Sequence, residues 1–325
     1  MPPLSVLDLV TVREGDTIAR SLQISVETAQ VAERCGFGRY WVAEHHGMAG
    51  IAGGATSVVL AHIGNATSTI RIGAGGIMLP NHTPYVIAEQ FGTLAALFPG
   101  RVDLGLGRAA GADGRLANAL RKDIVGASEH FPQDVVELRA RFAGQAVGGV
   151  ESPQASGADL EMWVLGSSLF GAQLAAMLGL PYAFASHFAP THLDEAARIY
   201  RDRFEPSEFL AQPYFMAGIN ALAAPSEEEA WYLASSADQS FVALRSGRPG
   251  RLQPPVRDYR AGLPAAARAM LEQVRGVNAI GTPEMVRDRI EAFAARTGAD
   301  ELIISAATFD PRAQQRSLEL IAAAR

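Results

Sequence analysis

The chain of 325 residues holds a single cysteine, Cys35. That excludes an internal disulfide and any metal site built on a pair of thiols. Basic residues are outnumbered, 28 Lys and Arg against 34 Asp and Glu, and the formal net charge is −6. The arginines are scattered and form no basic stripe, so nucleic acid is not an expected partner. No apolar run reaches the length of a membrane span, and residues 1–10 lack the basic start and long apolar core of a secretory signal. The expected address is the cytoplasm, without membrane attachment. What is present is 48% hydrophobic and 19% charged residues, the balance of a globular chain long enough for a large core.

Short apolar stretches rich in strand formers recur at residues 4–10, 39–43, 70–79, 101–106, 162–165, 182–186, 214–222 and 301–305. Each is followed by helical sequence and no run of hairpin turns intervenes, which predicts an α/β fold with a parallel sheet. Eight such units make the closed (β/α)8 TIM barrel, typically about 250 residues long. The roughly 75 residues beyond that length are assigned to insertions, a surface excursion over 145–159 and a lid segment over 240–280. Residues 1–325 are thus expected to form one barrel domain with insertions. Residues 109–114 read as a glycine- and alanine-rich loop that precedes helical sequence up to 142. Helix limits are marked by Asp16 or Thr17 with Gly36, by the box-like pairs Thr191 with Asp194 and Ser226 with Glu229, and by Thr282-Pro283 with Gly298. Cys35 falls on the apolar face of the first helix and reads as a small buried core residue.

The strand over 39–43 runs straight into Glu44, His45 and His46. Unpaired charge is costly inside a buried strand, so this cluster belongs at the strand's end, where a barrel keeps its chemistry. The other strand ends carry Gly75-Gly76, Gly107-Arg108, Gly166-Ser167-Ser168 and Ser186-His187. His45 and His46 are adjacent and point to opposite sides of an extended chain, so no metal is expected there, even with His187 as a third nitrogen. Glycines 73, 75 and 76 within one strand predict a bulge or a close backbone approach to a ligand. Gly166-Ser167-Ser168 lies between a strand and a helix, where free N–H groups and the helix dipole favour a phosphate, with Arg108 placed to add a forked contact. Alternatively, the serines merely cap the helix and Arg108 makes a structural ion pair. A rival phosphate cradle is Gly281-Thr282, nearer the location commonest in barrels. Gly105-x-Gly107 lacks the rest of a dinucleotide fingerprint.

Taken together, WVAEHH (41–46), RIGAGGIMLPNHTP (71–84), EQFGTLAALFPGRVDLGLGRA (89–109), VLGSSLFGAQLAAMLGLPYAFASHF (164–188) and GTPEMV (281–286) resemble the bacterial luciferase-like flavin monooxygenase family, in its alkanal-monooxygenase-like branch. The resemblance implies a barrel that binds reduced FMN at its mouth, supplied by a separate flavin reductase. O2 would add at the flavin C4a position, and the resulting peroxyflavin would oxidise a small organic substrate, an aldehyde or similar. His45 matches the catalytic histidine, suited by its ordinary pKa to proton transfer, with Glu44 and His46 as supporting neighbours. Gly75-Gly76 matches a non-proline cis peptide against the flavin ring, where missing Cβ atoms would let the backbone approach it. Gly107 stands where light-emitting members have a reactive cysteine. Arg108, Ser167 and Ser168 match the phosphate-binding region, and Gly166 replaces an acid there. His187 completes the expected cofactor-binding set. A deazaflavin-dependent hydride-transfer enzyme and a non-catalytic flavin-binding protein are the two other readings. Relatives dimerise through surfaces resembling helices 55–66 and 85–98, so a homodimer is expected.

Overall fold

The computed structural model describes residues 1–108, 118–120 and 123–325. Eight parallel strands close a ring: β1 (Leu4–Asp8), β2 (Arg39–Val42), β3 (Arg71–Met78), β4 (Val102–Gly107), β5 (Leu160–Gly166), β6 (Tyr182–Phe184), β7 (Phe215–Ala223) and β9 (Glu301–Ser305). Neighbours in sequence pair from β1 to β7, β9 lies between β7 and β1, and the β6–β7 pairing completes the (β/α)8 barrel. β1, β4 and β9 are buried at every position. Strands buried on both faces are dominated by apolar residues, and the polar ones that these three carry are buried too, Asp103 and Glu301 with Arg39 as partner.

The helices outside the ring are α1 (Ile18–Arg34), α2 (Thr56–Asn65), α3 (Pro84–Leu97), α4 (Ile124–Glu129), α5 (Phe131–Phe142), α6 (Leu169–Leu178), α7 (Leu193–Asp202), α8 (Glu227–Arg245), α9 (Ala265–Arg275), α10 (Pro283–Thr297) and α11 (Pro311–Ala323). Thr17, Ser226 and Thr282 cap their helices through side-chain oxygens, and Gly36 and Gly298 take the left-handed backbone beyond the ends of theirs. Thr191 does not cap. A 3-10 turn over Pro190–His192 carries the chain past it, α7 begins at Leu193, and Asp194 instead pairs with Arg296 at 2.7 Å. Cys35 is half-buried at the end of α1 and packs against the core margin, less enclosed than expected. The loop expected over 109–114 lies outside the described residues. No described helix is long and apolar enough to cross a membrane.

Two differences concern the expected insertions. A ninth strand, β8 (Asn278–Gly281), was not among the eight read from sequence; it pairs with β7 alone. Four residues at the end of an otherwise polar segment give too short a signal. Tyr182 donates its N–H to Tyr214 and Asn220 to Val277, so β8 takes up the edge of β7 that β6 leaves after Phe184. Within 240–280, residues up to Arg245 continue α8 and residues from Ala265 form α9. The irregular stretch between them is pinned near its start: Leu252 is buried, donates its N–H to Val12 and accepts from Glu14. The excursion over 145–159 does run outside the barrel, but it docks on α3, where a Cβ on Gly92 would lie 2.1 Å from the Gln154 carbonyl oxygen.

Most of the core lies between the ring and its helices. Inside the ring, Leu7, Trp41, Trp163, Met216 and Ile303 form a smaller layer, with the two indoles edge to face at 5.2 Å. Beneath it, at the N-terminal end of the strands, Arg39 contacts Asp103 (2.9 Å), Glu161 (2.8 Å) and Glu301 (3.2 Å), and Arg71 contacts Asp103. Charges thus close the floor, and the C-terminal mouth is left for chemistry.

Candidate active site

β2 delivers Glu44 to the mouth almost wholly buried, at 1% exposure. Its Oε1 lies 2.6 Å from His46 Nε2 and 2.8 Å from His82 Nε2, and Oε2 accepts the Met78 N–H at 3.3 Å. Residues two apart on extended chain share a side, which brings His46 to Glu44. His82 comes from the other direction, folded back by the 3-10 turn Leu79–Asn81 that follows β3. Burial alone would raise the Glu44 carboxyl, but hydrogen bonds and charge from His82 and His46 outweigh it and hold the pKa below the ordinary range. The sequence reading missed His82. Its signal was a lone histidine two residues after Pro80, in a stretch read only as connection.

His45 points the other way, so Glu44 and His46 support each other and His82 rather than gripping the His45 ring. Burial lowers the His45 pKa, with Glu44 opposing and His46 adding, which favours a neutral imidazole able to take a proton. On its side lies His187, pushed down to about 4 by burial and by the charge of His45. His187 Nδ1 is buried without a hydrogen-bond partner among the described residues, and it sits against Gly218, where a Cβ would lie 2.3 Å away. Asn220 holds the turn by donating to the His187 carbonyl at 2.8 Å.

Between these groups, the Gly75–Gly76 peptide is cis, and the β3–β4 register shifts between Ala74 and Ile77. The bulge and the cis peptide are present, and packing within the protein adds its own reason for glycine. A Cβ on Gly76 would lie 2.6 Å from the Gly105 carbonyl oxygen, and one on Gly75 would lie 2.7 Å from Leu7 Cδ1. At Gly76 backbone packing already excludes a side chain, whereas at Gly75 the Leu7 side chain would have to shift. Gly107 is under no such constraint, since its Cβ would meet Met78 Sδ at an ordinary 3.4 Å.

Farther round the mouth, Ser168 is the N-cap of α6 in extended conformation, yet no side chain caps the helix. The turn is held through its backbone, with the Tyr182 hydroxyl donating to the Ser168 carbonyl at 3.2 Å. Arg108 is exposed and lies 4.0 Å above the Phe170 ring, and it has no ion pair among the described residues. Among the described residues, neither capping serines nor a structural ion pair accounts for these side chains. A ten-residue helix with an open N-terminus and a guanidinium beside it fits a phosphate. At Gly281-Thr282 the Thr282 hydroxyl caps its own helix, and the Glu284 carboxylate lies 2.8 Å from it, which disfavours an anion.

The sequence profile of the luciferase-like monooxygenase family matches residues 3–301. YvbT of Bacillus subtilis (strain 168) is 46% identical over 321 residues, covering 98% of this chain and 95% of that protein. A luciferase-like monooxygenase of Escherichia coli (strain K12) is 44% identical over 317 residues, covering 97% and 95%. Among solved structures, apo-MsnO8 superposes with a TM-score of 0.89 at 32% identity, covering 100% of this chain and 98% of that one. The same fold recurs at lower identity in the oxygenating constituent of a 3,6-diketocamphane monooxygenase in complex with FMN, from a Pseudomonas putida plasmid (TM-score 0.74, 18%, covering 99% and 97%). It recurs also in an F420-dependent secondary alcohol dehydrogenase (TM-score 0.70, 15%, covering 100% and 98%). With the match spanning nearly the whole chain, this enzyme belongs to the luciferase-like monooxygenase family.

Proposed function

We propose that the protein is a monooxygenase that uses reduced FMN, brought by a separate flavin reductase, and O2 to oxidise a small organic substrate, an aldehyde or similar. The observation that carries this reading is the open N-terminus of α6 with Arg108 above Phe170, on the same mouth as His45. Arg108, Ser167, Ser168 and the first N–H groups of α6 would hold the phosphate. Gly166, with room beside it, adds no negative charge. Gly75, Gly76 and Gly107 present bare backbone where the ring would lie. Bound reduced flavin supplies the electrons and the oxygen-activating chemistry. His45 takes or returns a proton at its imidazole, and His187, kept neutral beside it, adds no competing charge. Glu44, tied to His46, His82 and Met78, fixes the ends of β2 and β3 around His45.

Dimerisation through α2 and α3 and action in the cytoplasm belong to the same proposal. Val58, Val86 and Leu97 expose apolar surface on those helices, which supports the first. The test is turnover of the purified protein with a flavin reductase, NADH, FMN and a panel of aldehydes. Substrate-dependent formation of an oxygenated product is expected, and His45→Ala should lose about 10²- to 10⁴-fold in rate with FMN affinity retained. Peroxide release alone across the panel would refute the reading. Since a protein of the same fold carries F420, parallel titrations with FMN and a deazaflavin decide the cofactor. FMN is expected to bind more tightly.

A further inference from the structure

We propose that Glu44, His46 and His82 form a binding site for a divalent first-row transition-metal ion of the zinc type. Glu44 Oε1, His46 Nε2 and His82 Nε2 all lie within 4.8 Å of one another. They come from two separate stretches of chain, the end of β2 and the turn after β3. The two rings approach the carboxylate tilted at 52° with centroids 6.3 Å apart, so they converge on it instead of stacking on each other. Two imidazoles and one carboxylate form a donor set that suits first-row divalent ions, and three protein ligands leave a position for water. A thiol is not needed, so the lone cysteine does not bear on the matter.

The present distances are those of hydrogen bonds, with each imidazole presenting Nε2–H to one carboxylate oxygen. A metal ion would take the place of those two hydrogens, each imidazole then carrying its one proton on Nδ1 and any surplus proton passing to solvent. Zn–N and Zn–O bonds of about 2.0–2.2 Å place tetrahedral ligand atoms about 3.3 Å apart. Opening the His46 contact by about 0.7 Å and the His82 contact by about 0.5 Å reaches that geometry. Both rings are partly exposed, at 21% and 26%, so they can move by that amount, while the carboxylate at 1% is shielded from water. The divergence of His45 and His46 argued against a shared ion for that pair. His82 supplies the second nitrogen that the sequence concealed.

A bound ion would link β2 to the turn after β3 and should stabilise the fold. The inference stands on the three side chains alone, so it can be tested without turnover. The full chain, stripped with a chelator and desalted, is titrated with ZnCl2 by calorimetry, and thermal unfolding is followed with and without zinc. One equivalent of Zn2+ is expected to bind and to raise the melting temperature. His82→Gln and Glu44→Gln should each weaken binding by about tenfold or more. His62→Gln, altering an exposed histidine on α2, should leave binding as in the parent. Unfolding of each variant without zinc shows that it is folded. No binding at zinc concentrations of about 100 µM, or equal binding by folded His82→Gln, would overturn the proposal.

Discussion

The Arg108 guanidinium lies 4.0 Å from the centre of the Phe170 ring, at the uncapped first turn of α6. The aromatic face steadies the cation without neutralising it. If the pair forms a phosphate clamp, Arg108→Met should weaken FMN binding by a charge-assisted hydrogen bond or two, about 1.5–3 kcal/mol, or roughly ten- to a hundredfold. Riboflavin, which lacks the phosphate, should bind both forms alike. Fluorescence titration with the two ligands checks this, and an equal loss for both would remove Arg108 from the phosphate site.

Gly76 and Gly107 should respond differently to a methyl group. In Gly76→Ala the added carbon would lie 2.6 Å from a backbone oxygen that cannot move away easily. A loss of about 1–3 kcal/mol is expected. Gly107→Ala meets the flexible Met78 side chain at 3.4 Å and the Ile77 carbonyl oxygen at 3.7 Å, both ordinary contacts, and should change stability by about 1 kcal/mol or less. Urea unfolding of the two variants makes the comparison.

His187 should shape stability in acid. Its pKa falls from the ordinary 6.5 to about 4 in the folded protein, so the unfolded chain binds this proton more readily. The resulting stabilisation is complete above pH 6.5 and is lost progressively as the pH drops from 6.5 to about 4. His187→Gln should flatten that part of the stability curve. Denaturant melts at several pH values between those limits would reveal it, and an unchanged slope would contradict the assignment.

Asp103 accepts from Arg39, Arg71 and the Trp41 indole in the barrel floor, with no exposed surface of its own. Burial disfavours the Arg39 charge, yet Asp103, Glu301 and Glu161 together raise its pKa above the ordinary value. Asp103→Ala would leave two guanidinium groups short of a partner and should cost about 3 kcal/mol or more. Equilibrium unfolding measures it. Turnover at temperatures well below melting should survive, because the network lies at the end of the barrel opposite the mouth.

Legibility in the sequence followed physical length scale. The barrel was readable because strands buried on both faces are short runs dominated by apolar residues, and Glu44, His45 and His46 stood out as a cluster of ionisable groups at the end of one of them. His82 was hidden because its partnership with Glu44 depends on the turn Leu79–Asn81, whose path no periodicity reveals. β8 was missed because its ladder depends on where another strand, β6, stops. Thr191 failed as a cap because a competing 3-10 turn moved the helix start to Leu193. Gly75 and Gly76 form the cis peptide that the resemblance implied, while the atoms nearest an added Cβ there belong to Leu7 and Gly105, distant in sequence.

The pin at Leu252 has a consequence for how residues 246–264 move. Fastened there by backbone hydrogen bonds to Val12 and Glu14, the stretch behaves as two separate arms instead of one long loop. The arm before the pin is short and the one after it about twice as long. The longer arm is fastened again along α8, where Gln239 donates to the Pro254 carbonyl at 2.8 Å, the Val256 N–H donates to the Ser235 hydroxyl at 2.8 Å, and Arg260 pairs with Asp238 at 2.6 Å. Closure entropy grows with the number of free links between fastenings, so any ordering of this rim on ligand binding would be confined to the short stretches left between them.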